Sequence, residues 1–253
     1  MNMKLKSAVA IQLLKSSAGV CLAEMMIAMA AGAVVLSATI QAMNHFQQRL
    51  SAQHEAIGRH QDQRIGIRIL EEELRLAGTG APLSETGLLK ADRQEIEFLA
   101  NLNGLTASLT EPVSPTQQEL RVDNGSNWGK GKRIMVCTED RCVESSLSRD
   151  GQRTLLSLSS TLGQAFPAGS QVLVSNKVRY YIGENAAGKI SLMRQVDGGA
   201  NTIVEGIKKF QLMYVDKQGK PTQDPGRVSR VRIELTASGA RRMVISEVGL
   251  RGQ

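Results

Sequence analysis

The most unusual side chain in this sequence is Glu24, the single charged residue in an apolar run of 24 residues from Val20 to Met43. As a helix this run would extend for roughly 36 Å, enough to cross the hydrocarbon core of a bilayer. A carboxylate in a membrane-spanning helix costs roughly 2–3 kcal/mol, so such residues usually have a function. We therefore expect Glu24 to have a functional role.

Cys137 and Cys142 are the next candidates for chemistry. They flank the four residues 138–141, and a hairpin with that loop would place the two cysteines opposite each other. An oxidising compartment would then favour a disulfide. A metal site would need two further ligands, and neither His nor another Cys occurs after residue 78. We predict a Cys137–Cys142 disulfide, no metal site and no cofactor.

The three histidines, His45, His54 and His60, all precede residue 78. On a helix, their spacings of nine and six residues put neighbours about 180° and 240° apart, so they cannot converge on one metal ion. The lack of His in the C-terminal part removes Ser-His-Asp and Cys-His catalysis there. The glycines form no phosphate-binding loop after a strand. A Ser-Lys or paired-carboxylate site stays open, but we predict that the protein is not an enzyme.

The first 19 residues have the character of a processed leader. They contain no acidic residue and three lysines, which place this end in the cytoplasm: Lys4, Lys6 and Lys15. In a secretory signal peptide the long apolar run precedes the small residues, whereas here it follows them. A plain membrane anchor fits the length but leaves Glu24 unexplained. A lipoprotein site would need a small residue before Cys21, where Val20 stands.

The segment from Gly19 to Met29, GVCLAEMMIAM, resembles the class III prepilin signal of type IV pilins. The resemblance implies that a membrane aspartyl peptidase cuts between Gly19 and Val20 and methylates the new N-terminal amine. Glu24 then stands at the fifth position of the mature chain, where the family has its signature Glu. The sequence departs from the family at Val20, where Phe is usual, and at Cys21, where Thr or Ser is frequent.

The resemblance also implies a role for Glu24 in assembly. Cleavage would leave an ammonium group on Val20, and a charge in an apolar environment needs a partner. A carboxylate four residues later lies one helical turn away, where the helix N-terminus also favours an anion. In pilins this Glu is thought to pair with the amine of a neighbouring subunit; a pair within one chain is the alternative.

The helical pattern continues past the apolar run to about Ala77. Its last turns place four apolar residues on one face: Ile67, Leu70, Leu74 and Ala77. Gly78, with Gly80 and Pro82 behind it, is a typical helix stop. We therefore expect an α+β protein with a leader at 1–19, a transmembrane and stalk helix at 20–77 and a β-rich, pilin-like head at 78–253.

Short apolar runs between turn signals predict a head made of strands. Residues 231, 233 and 235, for example, are apolar and alternate with polar neighbours, as in a strand with one buried face. The predicted strands are Glu95–Asn101, Glu119–Asp123, Arg133–Cys137, Val143–Ser148, Thr154–Leu158, Gln171–Gly183, Ile190–Gln195, Val204–Asp216, Arg227–Ala237 and Arg242–Gly249.

The segments 69–78, 178–182, 192–196, 203–216 and 231–235 resemble the heads of PilW-type minor pilins and J-type pseudopilins. The resemblance implies an inner-membrane subunit with a periplasmic head, which meets the prepilin peptidase and then other minor and major pilins in a pilus fibre. A J-type pseudopilin of a type II secretion system shares this plan.

A pilus-tip subunit that adheres or binds DNA is a further possibility. The formal net charge is +7, and Trp128 could stack on a base. Basic residues recur in the head at Lys130, Lys132, Arg133, Arg141, Lys208, Lys209, Arg241 and Arg242. A solvated basic surface is the simpler interpretation, so nucleic acid is an unlikely partner.

Overall fold

The computed structural model describes residues 22–81, 87–239 and 242–250, and it is α+β. These ranges contain one long α-helix, a short 3-10 helix at Pro225–Arg227 and fourteen strands. The chain divides into two compact units, Met1–Glu55 and Ala56–Gln253, which are described separately below. The predicted processing residues Gly19 and Val20, and also Cys21, lie outside the described residues.

The helix α1 runs over Leu22–Arg75. The predicted apolar face of its last turns is confirmed, because Ile67, Leu70, Leu74 and Ala77 are all buried. The predicted stop is also confirmed: Gly78 has a φ of 89°, a conformation that favours glycine, and its N–H donates to the Leu99 carbonyl. The helix ends at Arg75, and residues 76–81 follow as turns.

All strand pairs in the second unit are antiparallel. The strands are β1 (Leu88–Ala91), β2 (Glu95–Ala100), β3 (Thr106–Ser108), β4 (Glu119–Arg121), β5 (Arg133–Cys137), β6 (Cys142–Ser146), β7 (Leu155–Ser157), β8 (Gln171–Val174), β9 (Asn176–Glu184), β10 (Ile190–Val196), β11 (Gly199–Glu205), β12 (Ile207–Val215), β13 (Arg230–Ala237) and β14 (Val244–Gly249).

Two sheets share a core with the C-terminal turns of α1. One has the order β1-β2-β9-β10-β11 and the other β12-β13-β14. Phe98, Tyr180, Leu192 and Leu235 of these sheets belong to the same buried cluster as Leu70 of the helix. The large apolar area removed from water in this cluster is what fixes the end of the helix on the sheets.

The chain between β2 and β9 forms a separate six-stranded ring. Sheet β3-β8-β5-β6 and pair β4-β7 are joined by two isolated bridges, Leu109 to Val122 and Leu147 to Leu158, which close the ring. The ring has its own apolar core, which includes Trp128 and Phe166. It is an insertion, because Ala100 before it pairs directly with Asn176 after it.

Several strand predictions were wrong in detail. The predicted strand Gln171–Gly183 is two strands, β8 and β9, because the chain leaves the ring and enters the five-stranded sheet at Ser175. The predicted strand Val204–Asp216 is also two, since Gly206 with a φ of 64° turns the chain between β11 and β12. Strands β1 and β3 were not predicted, because each is only three or four residues long.

Candidate functional site: the apolar helix and its anchor

The first unit exposes a long apolar helix surface. Residues Leu22–His54 of α1 have a mean hydropathy of 1.8, and none of the most apolar 18-residue window is buried. Large side chains along it, including Leu22, Met26, Val35 and Met43, are exposed. Leaving so many apolar side chains in water costs about 25 cal/mol per Å2 of surface. This segment is therefore long and apolar enough to span a membrane.

Glu24 lies in the first turn of the described part of α1. Two hydroxyl groups farther along the span form hydrogen bonds within the helix. The Ser37 hydroxyl donates to the Ala33 carbonyl at 2.7 Å, and the Thr39 hydroxyl donates to the Val35 carbonyl at 2.8 Å. Such bonds make these residues tolerable in an apolar environment.

In the second unit, Glu73 holds the end of α1 against the five-stranded sheet. Its carboxylate accepts from the Arg194 guanidinium, with Nε 3.0 Å from Oε1 and 2.9 Å from Oε2. The Tyr180 hydroxyl donates to Oε2 of the same group at 2.7 Å. The Arg194 and Glu73 side chains are only 21% and 13% exposed. The ion pair is bidentate and largely shielded from water, the arrangement in which such pairs are strongest.

The electrostatics of this cluster keep its charges fixed. The hydrogen bonds from Arg194 to Glu73 raise the pKa of the guanidinium above its ordinary value. Burial, and then the nearby Glu73 charge, raise the pKa of Tyr180 well above the usual range of a phenol. Tyr180 therefore stays a hydrogen-bond donor at every physiological pH.

Sequence reasoning did not find this cluster. Glu73 stands in the run Glu71-Glu72-Glu73, whose members look alike along the chain. Its partners lie 107 and 121 residues away. The signal that could have separated Glu73 from Glu72 is the position on the helix. Glu73 borders the apolar face that contains Leu70 and Leu74, whereas Glu72 lies on the opposite side.

About two turns before Glu73, Gly66 allows α1 to approach β11 closely. A Cβ atom at Gly66 would overlap a methyl group of Val204 and would lie 2.9 Å from Cγ2 of Ile203. Gln63 is buried beside this contact, and its amide nitrogen donates to the Leu235 carbonyl at 2.7 Å. The helix is thus held to both sheets, through β11 and through β13.

Cys137 and Cys142 are joined by a disulfide, with the two sulfurs 2.04 Å apart. They are opposite each other in the β5–β6 hairpin, whose loop is closed by the Thr138 N–H donating to the Arg141 carbonyl at 2.8 Å. This geometry is the one that the hairpin interpretation of the sequence predicts.

The basic residues around Trp128 do not form a surface for base stacking. Trp128 is 2% exposed in the core of the ring, so the prediction that it is available to a base was wrong. Arg141 is also engaged, since it donates to the Ala165 carbonyl at 2.6 Å and lies over the Phe166 ring. A Cβ atom at Gly151 would lie 2.9 Å from the Cβ atom of Trp128, so the chain passes close to this side chain.

An open groove of about 950 Å3 lies where β9 and β10 meet β12. Its most enclosed charge, Glu95, is bracketed by Lys90 at 2.7 Å and Arg179 at 2.6 Å. Burial opposes ionisation of Glu95, but the hydrogen bonds from Lys90 and Arg179 outweigh it and lower the pKa of the carboxyl group. Arg179 in turn lies over the Tyr181 ring. The groove's charges are largely matched with one another.

In the ranges 22–81, 87–239 and 242–250, no group of three or more His, Cys, Asp or Glu side chains is placed to hold a metal ion. Comparison of the chain with protein-family models, with curated proteins and with solved structures gave no match. Arguments about function therefore rest on the sequence and on the geometry above.

Proposed function

We propose that this protein is a minor type IV pilin of the PilW type, a subunit that is made in the inner membrane and enters a pilus through α1. The observation that carries the proposal is the apolar surface of Leu22–His54, which lies directly behind the prepilin-like residues Gly19 to Glu24. Before assembly, lipid would cover this surface. In the fibre, the apolar helices of other minor and major pilins would replace the lipid.

In this proposal the prepilin peptidase cuts after Gly19 and methylates the amine of Val20. The resulting positive charge lies in an apolar environment, where an unpaired charge is costly. The carboxylate of Glu24 neutralises it, and when the pair forms between neighbouring subunits it also selects their axial register. The low dielectric constant around the pair makes a wrong register expensive, because both charges would then be left without partners.

The head contributes position and has no catalytic role in this proposal. Glu73, Arg194 and Tyr180 hold the last turns of α1 on the sheet, and Gly66 sets how closely the helix approaches β11. These contacts fix the last turns of α1 within the β-rich unit. The closed ring inserted between β2 and β9 would be displayed by the same scaffold.

The proposal is tested by removing the charge of Glu24 in cells that assemble the fibre. The variant Glu24→Gln should insert in the inner membrane like the wild type, but its recovery in sheared surface fibres should fall at least about tenfold, which corresponds to about 1.4 kcal/mol. Ser37→Ala is the matched control, since it changes a polar side chain of the same helix that is already satisfied internally. Equal recovery of Glu24→Gln and wild type in fibres would refute the assembly role of Glu24, and absence of the wild type from fibres would indicate a plain membrane anchor.

A further inference from the structure

The strand β14 has one free edge. The Leu250 N–H donates to the Ser229 carbonyl at 2.9 Å, so Leu250 and Ser229 are a hydrogen-bonded pair of the β13–β14 ladder. This pair fixes the phase of the ladder, that is, which residues of β14 are bonded to β13. In an antiparallel ladder, directly opposite residues alternate between bonded pairs and pairs whose backbone groups point away. By this phase, the N–H and C=O groups of Ile245, Glu247 and Gly249 point away from β13. Among the described residues, these six groups have no hydrogen-bond partner.

The other sheet edges are protected. The pairings of β1 and β11 each contain a register shift, and the ring of β3 to β8 is closed by its bridges. The outer edge of β12 is occupied, because the Leu212 N–H donates to the Arg93 carbonyl and the Tyr214 carbonyl accepts from Thr222. Bulges, closure and covering segments are the usual means by which proteins prevent pairing at an edge.

β14 has none of these protections. Its sequence, VISEVG, contains no Pro and no Lys, and its pairing with β13 is regular over six residues. It also exposes apolar surface at one end, since Met243 is 41% and Ile245 48% exposed. A straight, partly apolar edge of this kind is a template for a further strand.

We propose that β14 binds an extended segment of a different protein subunit, which adds to the sheet β12-β13-β14 as a fourth strand. This inference rests on the proposed function, in which the partner is another subunit of the same fibre. The segment would place an apolar side chain opposite Ile245 and, two residues along, a basic side chain opposite Glu247. Directly opposite pairs of these kinds stabilise neighbouring strands.

Two observations favour a different subunit over this chain itself. If β14 paired with β14 of a second copy about a two-fold axis, and all three outward residues took part, Glu247 would lie opposite Glu247. Like charges directly opposite each other destabilise a sheet. Within the chain, the undescribed internal segments 82–86 and 240–241 are shorter than a six-residue strand. The undescribed segment 1–21 is the leader and the start of the mature helix in the proposed function.

The test compares two full-length variants at one position. Glu247→Pro removes an outward N–H, and Pro is tolerated at the solvent side of edge strands. Glu247→Thr keeps the N–H but removes the carboxylate and, with it, the exposed ion pair to Arg230 at 3.0 Å, which contributes little to stability. The Pro variant should keep its melting temperature in detergent within a few degrees, while its recovery in sheared fibres falls about tenfold, a change of about 1.4 kcal/mol. The Thr variant should stay within about twofold of wild type, a change of about 0.4 kcal/mol.

A second measurement on the wild-type chain keeps the test independent of how the Pro variant folds. Backbone amide exchange at Ile245, Glu247 and Gly249 should be fast in detergent-solubilised protein and at least about tenfold slower in purified fibres. Unchanged exchange in fibres, or normal recovery of Glu247→Pro, would overturn the inference. A detergent-stable dimer that Glu247→Pro dissociates would overturn it in favour of a second copy. Absence of the wild-type protein from fibres would instead reject the proposed function.

Discussion

Replacing Glu73 with Ala should destabilise the β domain far more than the same change one residue earlier. The substitution leaves the Arg194 guanidinium and the Tyr180 hydroxyl without their shared acceptor. Breaking a buried ion pair costs about 3–5 kcal/mol. Since Arg194 is 21% exposed and water can reach part of it, we expect a loss of about 2–4 kcal/mol.

Glu72→Ala is the matched control. Glu72 is 58% exposed and pairs with Arg68, four residues earlier on the same helix and 78% exposed. An exposed pair of this kind contributes about 0.3–0.5 kcal/mol. Both substitutions replace Glu by Ala inside α1, so the change in helix propensity is the same and cancels in the comparison.

The assay is thermal unfolding of the full chain in detergent, followed by near-ultraviolet circular dichroism. For a domain of this size each kcal/mol shifts the midpoint by about 2–4 °C, so a loss of about 3 kcal/mol in Glu73→Ala should lower it by roughly 6–12 °C. Glu72→Ala should change it by no more than about 2 °C. The double variant Glu73→Ala/Arg194→Met should lose less stability than the two single variants added together. Equal midpoints for Glu73→Ala and Glu72→Ala would refute the proposed anchor.

Three further predictions concern the same unit. Gly66→Ala should lower the unfolding midpoint, because its Cβ atom would meet β11 and overpacking costs about 1–3 kcal/mol. Gly58→Ala is the control: its Cβ atom would meet nothing within 4 Å, so the midpoint should stay equal or rise. Because the pKa of Glu95 is lowered in the folded state, its ionised carboxylate stabilises the fold above the ordinary carboxyl pKa of 4.5, and this contribution is lost as the pH falls below that value. The melting temperature of Glu95→Gln should therefore depend less on pH in that acidic range than the melting temperature of the wild type. Cys137→Ser/Cys142→Ser should lower the stability of the folded chain by about 2 kcal/mol, measured by urea unfolding, and reduction of the wild type should give the same result.

The helix and its buried face were predictable from the sequence because they depend on local patterns. A 24-residue apolar run indicates a span by length, and the spacing of Ile67, Leu70 and Leu74 indicates a face by periodicity. The stop at Gly78 follows from the left-handed conformation that glycine adopts at low cost. The hairpin that joins Cys137 to Cys142 is equally local, with four residues between the cysteines.

The parts that were not predicted depend on contacts between distant residues. The division of Gln171–Gly183 at Ser175 occurs where the chain passes from one sheet to another, and an apolar run looks the same in both. The burial of Trp128 follows from the closure of the ring, which needs the pairing of β3 with β8, two strands far apart in sequence. The partners of Glu73, Tyr180 and Arg194, likewise lie on strands more than 100 residues away, and local propensity does not reveal them.

The intact mass of the membrane-extracted protein decides whether the chain is processed as a pilin. We expect a single chain that begins at Val20, carries one methyl group on its amine and contains the Cys137–Cys142 disulfide. The same mass should appear in purified fibres. A chain that still carries residues 1–19, or one cut at another position, would reject the proposed function and leave an anchored β domain.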